Sequence, residues 1–198
     1  ALSSKIEIQL ELARVRLKEF AKHQAKSVEE GWIIVCAERF IPKEIDVQGR
    51  KFVIRGTIDR VEVNRNGQVR VLDYKTGSMT ANKAHFNKDS WIDLQLPLYR
   101  ELLSEIPELD GFNLEKENVL LGYFKIGDQE STSGIDLLTP KEAIQDILQD
   151  TIDGTINSIL DNEYSDTPID PAPKFSDNFS WICQDNSVID ESSDTHND

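Results

Sequence analysis

"FVIRGTIDRVEVNRNGQVRVLDYKTG", Phe52 to Gly77, is the stretch whose reading decides the fold. Apolar residues alternate on both sides of Asn66-Gly67, so it reads as two β-strands, roughly 51–63 and 68–75, joined by a tight turn. Two turns fit. A two-residue turn at Asn66-Gly67 sets Asp59 opposite Tyr74 and leaves Asp59 and Asp73 on opposite faces. A three-residue loop, Arg65-Asn66-Gly67, instead sets Asp59 opposite Asp73, Val61 opposite Val71, Val63 opposite Val69 and Glu62 opposite Arg70. The second register gives an all-apolar stripe with a cross-strand charge pair on the other face, and is favoured for that reason.

In that register Asp59, Asp73 and Lys75 converge at the end of the stripe. Two neighbouring carboxylates raise each other's pKa unless a cation sits between them. Oxygen ligands at a sheet end, with a lysine beside them, amount to a site for Mg²⁺ and suit phosphoryl chemistry.

Upstream, residues 3–30 show helical apolar spacing, with Ile6, Leu10, Leu17 and Phe20 as expected core positions and Gly31 as the stop. Trp32 to Ile41 reads as a strand ended by Pro42, followed by a connector containing Gln48-Gly49. Downstream, 93–106 reads as a helix with Asp93 as N-cap, because Pro97 is tolerable only near its first turn. Residues 118–126, "NVLLGYFKI", form an apolar strand suited to the sheet interior. Thr139, Pro140 and Glu142 read as the capping box of a helix whose apolar face runs from Ile144 to Ile159. One globular unit, 1–163, is expected, followed by an irregular acidic tail, 164–198. The fold class is α/β, a mixed sheet of about four to five strands flanked by helices.

The net charge of −14 over 198 residues argues against a nucleic-acid partner only when taken whole. Residues 1–100 hold 18 of the 22 basic and 13 of the 36 acidic residues, a net +5, while 101–198 carry −19. Two distant cysteines, Cys36 and Cys183, suit a reducing cytoplasm rather than a disulfide scaffold or a four-cysteine metal site. No apolar run has membrane-spanning length, so no membrane association is expected. The first residue is alanine and the single methionine is Met79, so the sequence reads as a processed chain or a piece of something larger.

Three ordered blocks, Gly56-x-x-Asp59-Arg60, Asp73-Tyr74-Lys75-Thr76-Gly77 and Gln95-x-x-x-Tyr99, make residues 5–127 resemble the RecB/AddB-like nuclease domain of the PD-(D/E)xK superfamily. The resemblance implies a restriction-endonuclease-like fold and a Mg²⁺-dependent deoxyribonuclease, with Mn²⁺ as a substitute. It implies exonuclease rather than endonuclease action, a DNA substrate, and a helicase domain or subunit as partner in repair or recombination. Asp59, Asp73 and the Tyr74 backbone carbonyl would then be metal ligands. Lys75 would activate the attacking water and stabilise the phosphate, while Gln95 and Tyr99 would line the site. Glu38 matches an acidic residue of the preceding strand, to which a structural place is assigned ahead of a ligand's. The family's upstream metal-binding histidine is expected to be absent, since His23 lacks its usual surroundings. With only Cys183 in a comparable position, no iron–sulfur cluster is expected. The rival reading is a catalytically incomplete module of the same fold, acting in DNA binding or as a scaffold. His23 and His85 are expected to be solvated, and Cys36 to be a small buried apolar residue. Trp32, Trp91 and Trp181 are expected to pack rather than stack on bases.

Overall fold

The computed structural model describes residues 4–161. The chain divides into a unit ending at Ile156, which contains the whole sheet, and a second beginning at Asn157. The expected tail, together with Trp181 and Cys183, lies outside the described residues.

Five strands form one mixed sheet: β1 (Ile33–Val47), β2 (Arg50–Val63), β3 (Val69–Lys75), β4 (Val119–Lys125) and β5 (Gly134–Leu137), in that order across the sheet. Only β3 and β4 run parallel. The sheet and its helices make the restriction-endonuclease-like α/β architecture expected. The β2–β3 turn is the three-residue loop: Val63 pairs Val69, Glu62 pairs Arg70 and Val61 pairs Val71. Gly67 takes φ +78°, Asn64 N–H donates to the Gln68 carbonyl at 3.0 Å, and the Asn64 carboxamide accepts from Asn66 and Gln68. Glycine at the left-handed position is what lets this loop close without strain.

Several expectations need correction. β1 does not stop at Pro42, which pairs with Arg55 in mid-ladder. β1 is an edge strand, and a proline is tolerated where no ladder partner needs its N–H. The expected connector is a two-residue turn with Gln48 at φ +54° and Gly49 at +82°, the double-positive geometry that matches strand twist. β5, four residues long, is an element that no periodicity announces.

The helix α1 (Ser4–Glu29) ends as expected at Gly31, φ +90°, with Gly31 N–H on the Val28 carbonyl and Trp32 N–H on that of Ser27. This doubly bonded closure is the Schellman motif. Three of its expected core positions are not core: Ile6, Leu10 and Leu17 are exposed, and the helix meets the sheet through its C-terminal half. There Phe20 packs on Phe124 and Tyr74, at centroid distances of 4.7 and 5.8 Å, and Ser27 is buried. α2 (Ala81–His85) is short and capped by Thr80. α3 (Gln95–Leu102) begins two residues after Asp93. Its N-cap is Leu94, and Asp93 contributes by accepting the Gln95 amide at 2.7 Å. Pro97 sits in its first turn.

The helix expected from Thr139 is two, α4 (Glu142–Asp146) and α5 (Leu148–Leu160), with Lys141 as N-cap. The Thr139 amide and hydroxyl are engaged by the Asn82 side chain instead. Ile144, Ile152 and Ile156 are buried as the apolar face required, but Ile159, at the end of that face, is exposed.

α3 covers one face of the sheet, where Val61, Val71, Ile58, Leu96, Tyr99 and Leu102 join in one apolar core. Gly56 permits that contact, since a Cβ there would meet Leu102 Cδ1 at 3.0 Å and Tyr99 Cε1 at 3.1 Å. α1 covers the opposite face over a fully buried charge cluster. Glu62 accepts from Arg60 and from Arg70 Nε (2.7 Å), and Arg70 also reaches Ser27 and lies 3.9 Å from the Trp32 ring. The cross-strand pair Glu62–Arg70 therefore forms in a dry interior.

Candidate active site

The β2–β3 ladder ends at Arg60–Leu72, one step before Asp59 and Asp73. Beyond it the strands open, and Asp59 Oδ2 accepts the Tyr74 backbone N–H at 2.8 Å, occupying the place of a lost ladder partner. On the neighbouring side the β1–β2 ladder pairs Ala37 with Arg60 and Arg39 with Ile58, and Glu38 between them takes φ +49°. A left-handed non-glycine residue at this position marks local strain beside the site. The Glu38 side chain is exposed.

Asp73 is 3% exposed and its two oxygens are divided. Oδ1 accepts from Gln95 Nε2 at 3.0 Å, and Oδ2 forms an ion pair with Lys75 Nζ at 2.6 Å. Burial pushes the Asp73 carboxyl above the usual aspartate range; Lys75 opposes that push and Asp59 adds to it. Gln95 Nε2 also donates to the Tyr99 hydroxyl at 3.0 Å, so one carboxamide ties the first turn of α3 to β3. Burial likewise raises the Tyr99 phenol. The fold thus brings Asp73, Lys75, Gln95 and Tyr99 into direct contact, with Asp59 joined to them through the Tyr74 amide.

Tyr74 divides its backbone and side chain between two tasks. Its ring faces α1 against Phe20 and its hydroxyl accepts from Arg60 Nη1 at 3.3 Å. Its N–H and C=O point to the same side of the strand, toward Asp59, because the next carbonyl, of Lys75, points the other way to Ile126 N–H at 2.8 Å.

His85, expected in solvent, is fully buried, because its partner Tyr123 comes from a strand that only the folded topology brings near. Cys36 is buried as expected, and burial raises its thiol pKa. Tyr123 pairs with Asp73 across the parallel β3–β4 ladder, and its ring centroid lies 5.4 Å from Lys75 Nζ. No spacing in the sequence relates His85, Asp73 and Tyr123. The one available signal is a lone phenol in an otherwise apolar strand. His23 packs on Gly134 of β5, its ring 2.9 Å from where a Cβ on that glycine would stand. Among the described residues no three His, Cys, Asp or Glu side chains gather as a metal cluster, and no helix is long and apolar enough to cross a membrane.

Over 113 residues the chain is 32% identical to an ATP-dependent helicase/deoxyribonuclease subunit of Carboxydothermus hydrogenoformans, a match covering 54% of this chain and 10% of that protein. Over 85 residues it is 28% identical to an uncharacterized protein of Rickettsia felis, covering 42% and 9% respectively. The chain therefore spans about a tenth of the length of the curated relatives it matches. The crystal structure of SSO0001 overlaps 87% of this chain and 66% of its own, at 20% identity and a TM-score of 0.41. The sequence profile of the PD-(D/E)XK nuclease superfamily matches residues 2–184, and the chain belongs to that superfamily.

Proposed function

We propose that the chain is a Mg²⁺-dependent deoxyribonuclease domain that hydrolyses phosphodiester bonds with Asp59, Asp73 and Lys75 at its centre. The observation that carries this reading is Asp73, a nearly buried carboxylate whose Oδ2 is met by the ammonium of a partly exposed lysine, Lys75. The donor set fits a hard cation: two carboxylates and a strand carbonyl are all oxygen, and Mg²⁺ is commonly held by one or two carboxylates with water completing its shell. Asp59, Asp73 and the Tyr74 carbonyl would hold it. When bound, it supplies positive charge to a phosphate and lowers the pKa of a water.

The chain's own residues do the rest. Gln95 fixes the rotamer of Asp73 from one side. Lys75, 38% exposed, keeps its ammonium at the mouth of the site, where it neutralises charge on a phosphoryl oxygen and orients the attacking water. Tyr99 holds Gln95 in place. Likeness to an ATP-dependent helicase/deoxyribonuclease subunit supports DNA as substrate and a helicase as partner; exonucleolytic action in cytoplasmic DNA repair or recombination is part of the same proposal.

A second reading, a catalytically incomplete module of the same fold, is favoured by the lack of a third acidic or histidine ligand among the described residues. Cleavage of end-labelled linear and circular DNA with Mg²⁺ or Mn²⁺ separates the two. Metal-dependent cleavage lost in Asp73→Ala is expected, and linear DNA should be cut in preference to circular. A folded chain that binds DNA without cutting it, and still does not cut when any upstream segment of the protein is restored, would establish the second reading.

A further inference from the structure

Both ring nitrogens of His85 are engaged. Its Nδ1 lies 2.9 Å from the Asp93 carbonyl oxygen, which can only accept, so Nδ1 carries the proton. In the neutral ring Nε2 is then an acceptor, and Tyr123 O–H donates to it at 3.0 Å. The backbone closes the same knot: the His85 carbonyl accepts from the amides of Ile92 (2.9 Å) and Asp93 (3.2 Å). Two lines run from this knot into the site. Through Asp93, whose carboxylate accepts the Gln95 amide, it sets the start of α3 and hence the carboxamide that holds Asp73. Through Tyr123 it sets the ring below the Lys75 ammonium, at a distance typical of cation–π contact. None of the three residues belongs to the motif blocks, and the imidazole, phenol and carbonyl satisfy one another in a dry place that apolar side chains could fill more simply.

We propose that His85 is a positioning residue of the active site, which through Tyr123 and the Asp93 carbonyl holds Lys75 and Gln95 in register on Asp73. The proposal rests on the nuclease reading for its consequence in cleavage, not for its geometry. The imidazole never touches DNA; it acts through the two groups it holds.

The test is a double-mutant cycle with His85→Asn, which keeps a donor near the Nδ1 position and removes the partner of Tyr123, and Tyr123→Phe, which keeps the ring and removes the hydroxyl. Thermal unfolding confirms that each variant is folded. Each single variant is expected to lower the single-turnover cleavage rate at saturating DNA about tenfold while DNA affinity stays within about twofold. The double variant should be no slower than the worse single one, because both break the same link. Wild-type rates in the singles, or a double loss equal to the product of the two, would overturn the proposal. A wild-type chain that does not cleave would defeat the nuclease reading alone. In that case the NMR signals of the Gln95 carboxamide and the Lys75 side chain in the metal-free protein decide: both should move in both variants. Signals that stay fixed would overturn the positioning role.

Discussion

Asp59 and Arg60 are consecutive, as are Asp73 and Tyr74, yet each pair sends its members to different sides of the β2–β3 hairpin. The α1 side carries two guanidiniums around one carboxylate, Arg60 and Arg70 on Glu62, all almost completely buried. Each guanidinium is paired with Glu62, and the contacts extend to Ser27 and the faces of Trp32 and Phe124, with Arg60 Nε lacking a hydrogen-bond partner among the described residues. The α3 side carries two carboxylates and one lysine that is 38% exposed. One cluster is closed with a surplus of positive charge inside the protein; the other is open with a surplus of negative charge at its mouth. Buried ions of the first kind hold a structure in register, whereas an incompletely neutralised pair at an opening is what a cation requires.

The sharpest way to break this comparison is to delete one carboxylate from each side. Asp73→Ala should reduce cleavage by about a thousandfold or more, the scale of losing a central electrostatic group, with a melting temperature unchanged or slightly raised. Glu62→Ala should do the opposite. It strands two buried guanidiniums, which costs about 3–5 kcal/mol, so denaturant titration should show a chain close to unfolding. A stable Glu62→Ala protein, or an Asp73→Ala protein that melts early, would erase the distinction between the clusters.

A smaller effect is expected at the seam between α3 and the sheet. Gly56→Ala drives a methyl against Tyr99 and Leu102, an overpacking worth about 1–3 kcal/mol. Because Gln95 starts the same helix, the loss of cleavage should exceed the loss of bound DNA. Full activity with lowered stability would mean that the helix can shift without disturbing Asp73.

The smallest expected effect is a slope with pH. Burial holds the Asp73 carboxyl above its ordinary value of 3.8, so the folded chain retains a proton that the unfolded chain releases. Its contribution therefore lowers stability as pH rises through the window opening at 3.8. Asp73→Asn should flatten that part of the melting-temperature profile, and an unchanged slope would assign it to other groups.

How much of this is legible in the sequence depends on how far apart the contacting residues lie. The hairpin register is readable because Asn66-Gly67 and the Glu62–Arg70 pair are local and mutually consistent. The residues proposed for the site follow from that register and the motif blocks. The exposed stripe of α1 misleads because periodicity reports a helix's apolar side, not how much of its length the sheet can reach. Phe20 touches the sheet; Ile6 and Leu10 stand in the stretch before it. β1 outruns Pro42 because a proline ends a strand only where its missing N–H is needed. The burial of His85 is unreadable for a topological reason: Tyr123 lies 38 residues away and reaches it only once β4 has paired in parallel with β3.

The edge strand β1 has one more consequence. At 15 residues β1 is long for a sheet border, and Ile33, Ile34 and Phe40 are exposed on it. A straight strand of that kind invites another molecule to extend the sheet. Here the register slips between Ile34 and Cys36, Glu38 turns left-handed and Pro42 lacks an amide hydrogen, so no long run presents an unbroken ladder of donors and acceptors. These irregularities therefore guard the border of the sheet against sheet-to-sheet polymerisation.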